Sequence, residues 1–126
     1  MEKLDAIAAL AALAHESRLD VFRLLVQAGA NGMAAGQIGE RLSLPSTTLS
    51  FHLAHLKQSG LVTCRRESRS LIYTAEYASM NDLLAYLTKN CCHGDVSACS
   101  VNLCNPNTIS QGVARHEAPA RSRRRR

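Results

Sequence analysis

The sequence predicts a mainly α-helical domain with one small β-hairpin, ordered as a winged helix-turn-helix. Three observations carry that expectation. Apolar residues recur at helical spacing in five separate segments. A proline-marked break at Ser43-Leu44-Pro45 separates two of those segments. Two β-rich runs bearing arginines follow directly after the second of them. At 126 residues the chain allows one domain with a modest core, and 46% hydrophobic with 20% charged residues is a globular composition.

The elements follow in order. Leu4, Ile7, Leu10 and Leu13 in an alanine-rich background give a first helix whose stripe could pack against a partner. A second helix starts near Ser17, with Leu19, Phe22 and Leu25/Val26 as its stripe, and Gly29-Ala30-Asn31-Gly32 stops it. Ala34 to Leu42 reads as a short third helix with Ile38 and Leu42 inward. Pro45 suits the first turn of a fourth helix running to Gln58, with Leu49, Leu53 and Leu56 buried and Gly60 capping its end. Leu61 to Arg66 and Leu71 to Thr74, joined by Glu67-Ser68-Arg69-Ser70, form the hairpin. A final helix begins near Ser79, with Met80, Leu83/Leu84 and Leu87 as its stripe, and decays at Asn90. From about Asn105 the periodicity is lost and disorder is expected. The expected divisions are a reading and dimerisation domain at 1–90, a cysteine-rich segment at 91–104 and a basic tail at 105–126.

The net charge of +5 is unevenly placed. Residues 41–69 carry Arg41, Lys57, Arg65, Arg66 and Arg69 against Glu67, whereas the segments on either side are acidic. A basic centre of this kind suggests a nucleic-acid face. In the fourth helix Ser46, Thr47, Thr48, Ser50 and His52 are expected on the outward, N-terminal side. There, short hydroxyls can donate to phosphates or base edges and the helix dipole favours phosphate. His55, one turn on from His52, adds a further contact, and Arg65, Arg66 and Arg69 on the hairpin would reach the backbone or a minor groove. Each of these residues alone also suits a solvated helix start or hairpin. The order of helix, helix, hairpin and helix is what makes them a DNA face.

Four of the five cysteines, Cys91, Cys92, Cys99 and Cys104, fall within fourteen residues beside His93 and Asp95. The start of the chain lacks a basic leader, and the longest apolar run, Ala6 to Ala14, is far too short to cross a bilayer. A cytoplasmic protein without membrane association is therefore expected, and there clustered thiols favour metal or redox chemistry over structural disulfides. Cys64 is set apart: strand alternation places it on the face of Val62, where it packs as a small hydrophobe. No Cys-x-x-Cys and no cysteine in a phosphate-type loop is present, which argues against a thiol enzyme. The tail, Arg121 and Arg123 to Arg126, either adds non-specific DNA affinity or is a solvated extension.

The run from Ser46 to Val62 resembles the recognition helix and approach to the wing of ArsR/SmtB repressors: a hydroxyl-rich start, Ser50-Phe51-His52-Leu53, then Leu56-Lys57-Gln58-Ser59-Gly60-Leu61-Val62. His15-Glu16-Ser17-Arg18-Leu19 is similar to that family's lead-in to its second helix. The resemblance covers roughly residues 3–90. It implies a homodimer built from the first and last helices, bound to a partly palindromic double-stranded operator and released by a metal or metalloid.

Two departures from the family pattern bear on the sensor. Arsenic sensors of the family carry Cys-x-Cys in the helix before the recognition helix, but Gly36 to Leu42 holds neither cysteine nor histidine. Zinc sensors use carboxylates and histidines along the last helix, which here offers Asp82 and no histidine before His93. In some members of the arsenic branch a vicinal pair plus a downstream cysteine is the sensor, and Cys91-Cys92 with Cys99 resembles that pattern. Trivalent arsenic takes three thiolates in a pyramid, so the resemblance implies arsenic(III) as inducer, with antimony(III) or methylarsenite as further candidates. Neighbouring residues within a helix do not face each other, so Cys91 and Cys92 converge only if the helix frays at Asn90 and Gly94. Cys99 would be the third ligand and Cys104 a substitute or a spare. A zinc or cadmium site on four thiolates, a disulfide redox switch, and cysteines without a role remain the alternatives.

Overall fold

The computed structural model describes residues 1–94. Its elements are α1 (Lys3–Leu13), α2 (Glu16–Ala28), a 3-10 turn (Gly29–Asn31), β1 (Met33–Ala34), α3 (Ala35–Leu42), α4 (Ser46–Gln58), β2 (Val62–Glu67), β3 (Ser70–Ala75), α5 (Tyr77–Leu87) and a second 3-10 turn (Cys91–Gly94). The chain divides into two compact units after Leu83. Among the described residues no helix is long and apolar enough to cross a membrane.

In the first unit, α2 and α4 supply the centre of the core through Val21, Phe22, Leu25, Leu49, Leu53 and Leu56, and Ile38 of α3 closes one side. Leu61, Val62 and Ala75 are buried at the base of the hairpin, and Leu83 is the buried residue of α5. The Tyr77 hydroxyl donates to the Val26 carbonyl at 2.7 Å, fixing the start of α5 on the end of α2. Burial pushes the Tyr77 phenol above its ordinary range. At the opposite end, His15 caps α2 by accepting the Ser17 N–H at 3.1 Å, and Arg18 Nε donates to the Ala12 carbonyl at 2.6 Å.

The helix-turn-helix is closed by Leu44 N–H, which donates to the Gly39 carbonyl at 3.0 Å, while Ser43 takes a left-handed conformation at φ 55°. A Cβ on Gly39 would lie 3.2 Å from the Leu44 carbonyl oxygen, so the tight turn depends on that glycine. Gly32, at φ 71°, has the same property more strongly: a side chain there would meet the Tyr73 carbonyl oxygen at 2.5 Å.

Several expectations are corrected. The sheet has three antiparallel strands in the order β1-β3-β2, because Met33 and Ala34 pair with Tyr73 and Ile72 beside the predicted hairpin. Pro45 precedes α4 in an extended conformation and is not part of its first turn. Helix α5 starts at Tyr77 and ends at Leu87, before Asn90. Leu19 is exposed and Val21 is buried, since the inner stripe of α2 runs 21, 22, 25. The predicted stripe of α1, by contrast, stands as read: Leu4, Ile7 and Leu10 are 77%, 53% and 43% exposed and open to a partner, while the buried residues of that helix are Ala6, Ala9 and Ala12.

Candidate nucleic-acid interface and thiol pair

The outer surface of α4 follows from its buried one. Leu49, His52, Leu53 and Leu56 line the inner face at spacings of three and four, so the intervening positions must point out. Ser46, Thr47, Thr48 and Ser50 are exposed at the first turns, and His55 and Lys57 are exposed towards the end. Hydroxyls therefore cluster at the N-terminal end of the helix, where free backbone N–H groups and the dipole favour an anion.

His52 is a correction. It is 8% exposed and packs in the core, with its ring centroid 4.7 Å from that of His15. It lies three residues after Leu49 and four before Leu56, which puts it on the inner stripe and not on the outward side expected of it. Burial lowers its pKa, and the nearby His15, Arg18 and His55 lower it further.

On the hairpin the three arginines divide. Arg65 Nε donates to Glu67 Oε2 at 2.8 Å, and its other guanidinium nitrogens reach Thr74 Oγ1 at 3.2 Å and the Asn31 carbonyl at 2.9 Å. Its fork thus binds the wing to the turn that precedes β1 and is already committed within the chain. Arg66 and Arg69 are exposed and, among the described residues, have no ion pair. Cys64 pairs across the strands with Tyr73 and is half-buried. Burial first, and the neighbouring Cys64 second, raise the Tyr73 phenol.

Phe51 is the residue that sequence reasoning passed over. It is 78% exposed in the middle of the outer face, and the signal was available: 47, 48, 51, 54 and 55 repeat at the helical period opposite the leucines.

In the second unit the chain leaves the helix before the cysteines. Thr88 Oγ1 donates to the Leu84 carbonyl at 2.9 Å, and Asn90, Cys92 and His93 take left-handed conformations at φ 60°, 56° and 57°. Cys91 Sγ and Cys92 Sγ approach to 3.4 Å, beyond the roughly 2.05 Å of a disulfide. Cys99 and Cys104, with the arginine tail, lie outside the described residues. Among the described residues no group of three His, Cys, Asp or Glu side chains is gathered for a metal ion.

Residues 13–65 match the family model described as a helix-turn-helix domain. The transcriptional activator HlyU of Vibrio cholerae is 31% identical over 90 residues, covering 71% of this chain and 81% of the relative. The solved structure of HlyU from that organism is 33% identical and covers 73% of this chain and 99% of its own, with a TM-score of 0.58. Two more distant structures share the fold. An ArsR-like transcriptional regulator from Rhodococcus sp. RHA1 covers 93% of this chain and 90% of its own, at 21% identity and TM-score 0.60. The homodimeric winged helix-turn-helix DNA-binding domain Mb0332 from Mycobacterium bovis covers 97% and 90%, at 22% identity and TM-score 0.56. The relatives bear the names of transcriptional regulators, DNA-binding proteins and not enzymes.

Proposed function

Because the chain belongs to the winged-helix transcriptional regulators of the ArsR/HlyU type, we propose that it is a homodimeric repressor released from operator DNA by trivalent arsenic. Cys91, Cys92 and Cys99 hold the arsenic, with Cys104 in reserve.

The observation that carries this reading is the approach of the Cys91 and Cys92 sulfurs to 3.4 Å. With bonds of about 2.3 Å to a soft centre, sulfurs at that separation subtend about 95° at it. That angle suits a pyramid around a lone pair better than the wider tetrahedral angle of zinc. Asn90 and His93 are residue types that take left-handed conformations readily, but the left-handed conformation of Cys92 costs about 1–2 kcal/mol. A backbone that accepts this cost to bring two thiols together fits a ligand site better than an idle tail. The proposed homodimer is supported by the exposed Leu4, Ile7 and Leu10 of α1, and by the homodimeric state named for the Mycobacterium bovis domain.

HlyU is named as an activator. Repression is the reading here because a dimer seated on a promoter blocks transcription with no further part, and ligand at the end of α5 then acts by release. A coupling of about 1–3 kcal/mol, a change in DNA affinity of about 5–150-fold, is enough. A second reading has its own support. Adjacent thiols can close to a disulfide, and HlyU has also been solved in a form described as reduced.

One titration separates the two. A fluorescent duplex recovered by the full chain from a random library is bound in reducing buffer, then challenged with arsenite, antimonite, methylarsenite, zinc or cadmium. Hydrogen peroxide is tested without reductant. Release by arsenite at least fivefold, lost in Cys91→Ser and in Cys92→Ser, is the expected result. Release by peroxide alone supports the redox switch, release by zinc or cadmium alone supports a metal sensor, and no release by any agent overturns the sensor. In a promoter fusion carrying that duplex, arsenite should raise transcription.

A further inference from the structure

We infer that Phe51 reads the C5-methyl group of thymine in the major groove and so sets the base preference of the recognition helix. The inference rests on the DNA-binding reading above but is independent of the arsenic site.

The chain has two phenylalanines. Phe22 is buried at 6% exposure, as the hydrophobic effect requires, whereas Phe51 is left 78% exposed. The chain around Phe51 offers no cover: its neighbours on the outer face of α4 are Thr47, Thr48, Ala54 and His55, all exposed. Thr47 and Thr48 precede it by four and three residues, Ala54 and His55 follow by three and four, so Phe51 is central on that face. A single ring among hydroxyls and a basic side chain is too small and too polar in its surroundings for a protein-docking patch. It stands, however, on the outward face of the second helix of the helix-turn-helix, the element that meets base edges in this motif.

At that place its chemistry is restrictive. A phenyl ring neither donates nor accepts a hydrogen bond, so it leaves the purine and cytosine edge groups unpaired. The feature of the major groove that an apolar side chain can satisfy is the thymine methyl. The threonine hydroxyls one turn back are free to hold phosphate, which fixes the register while the ring selects the base. Small Ala54 on the following turn leaves space beside the ring for the methyl to enter.

The test uses the full chain and the duplex it recovers from a random library. Each thymine is replaced singly by deoxyuridine, which pairs identically and lacks the methyl. The wild-type chain should lose affinity at one position of each half-site, by about fourfold per methyl removed. Phe51→Ala should bind the thymine and deoxyuridine duplexes equally, measured at a salt concentration low enough for all variants to bind. Phe51→Leu, which keeps an apolar side chain, should retain part of the discrimination. Equal circular dichroism melting curves establish that the variants fold, as an exposed position predicts. The inference is overturned if no deoxyuridine substitution weakens the wild-type complex, or if Phe51→Ala shows the wild-type penalty. If the full chain enriches no sequence at all, the DNA-binding reading fails and takes this inference with it.

Discussion

Helices α1 and α4 use the same 3.6-residue period in opposite ways. In α4 the large apolar residues, Leu49, Leu53 and Leu56, turn inward and short polar side chains turn out. In α1 the inward positions are Ala6, Ala9 and Ala12, and the large residues Leu4, Ile7 and Leu10 face away from the chain's own core. Alanine lets α1 lie close on α2 and α4 but contributes little apolar area. A leucine-sized side chain is worth about 1.5–3 kcal/mol when fully buried, and α1 leaves three such residues 43–77% exposed, so much of that energy is uncollected within the chain. The difference separates two kinds of helix: α4 closes its apolar stripe within the chain, while α1 leaves its stripe open for the second copy proposed above.

The largest effect that tests this contrast comes from the outer face of α1. Replacing both Ile7 and Leu10 by glutamate places unpaired carboxylates in the proposed seam of each protomer, where burial of an isolated charge is very costly. The dimer dissociation constant should rise by roughly a thousandfold or more. Analytical ultracentrifugation should then show a monomer at concentrations where the wild type is dimeric, with helical circular dichroism retained. A variant that remains dimeric would remove α1 from the seam.

The next effect comes from the inner face of α4. Leu53 is 1% exposed at the centre of the core, so Leu53→Ala should cost about 2–5 kcal/mol in urea unfolding. Made in the glutamate-bearing monomer, Leu4→Ala should shift stability by no more than about 0.5 kcal/mol, since that side chain is solvated there. Equal costs at the two positions would break the contrast between the helices.

What was legible in the sequence follows the same division. Helical periodicity exposes a stripe wherever the large residues are inside, and the core leucines of α4 could be read directly. In α1 the same spacing lies in an alanine-rich background and reads as a stripe for a partner, and the structure leaves Leu4, Ile7 and Leu10 exposed. His52 is harder to read: it stands beside hydroxyls in the chain, yet its spacing from Leu49 and Leu56 puts it inside. Strand β1 has two residues, too few for an alternation to show, and depends on Gly32 and on distant partners in β3. The commitment of Arg65 to Glu67, Thr74 and Asn31 depends on strand register and on the fold of a turn thirty-four residues away. The break of the last helix before Cys91 is legible as a geometric requirement, and the left-handed backbone at Asn90, Cys92 and His93 is how the chain meets it.

The smallest predicted effect concerns the one polar side chain on the buried stripe of α4. His52 is enclosed by the core and faced by His15, Arg18 and His55, so the folded chain disfavours its imidazolium and its pKa falls below the ordinary 6.5. Above that pH the imidazole is neutral in both folded and unfolded chains and contributes no pH dependence. As pH falls through 6.5 the unfolded chain takes up the proton first, so the unfolded state gains and stability declines until the folded pKa is reached. His52→Gln removes the titration while retaining a polar side chain of similar length. Urea unfolding at pH 8, 6.5 and 5 should therefore show a steeper loss of stability on acidification for the wild type than for His52→Gln. Parallel profiles would mean that the buried histidine is not protonation-sensitive and that the inner face of α4 tolerates a charge. In that case the contrast between a closed α4 stripe and an open α1 stripe would lose its electrostatic half while keeping its packing half.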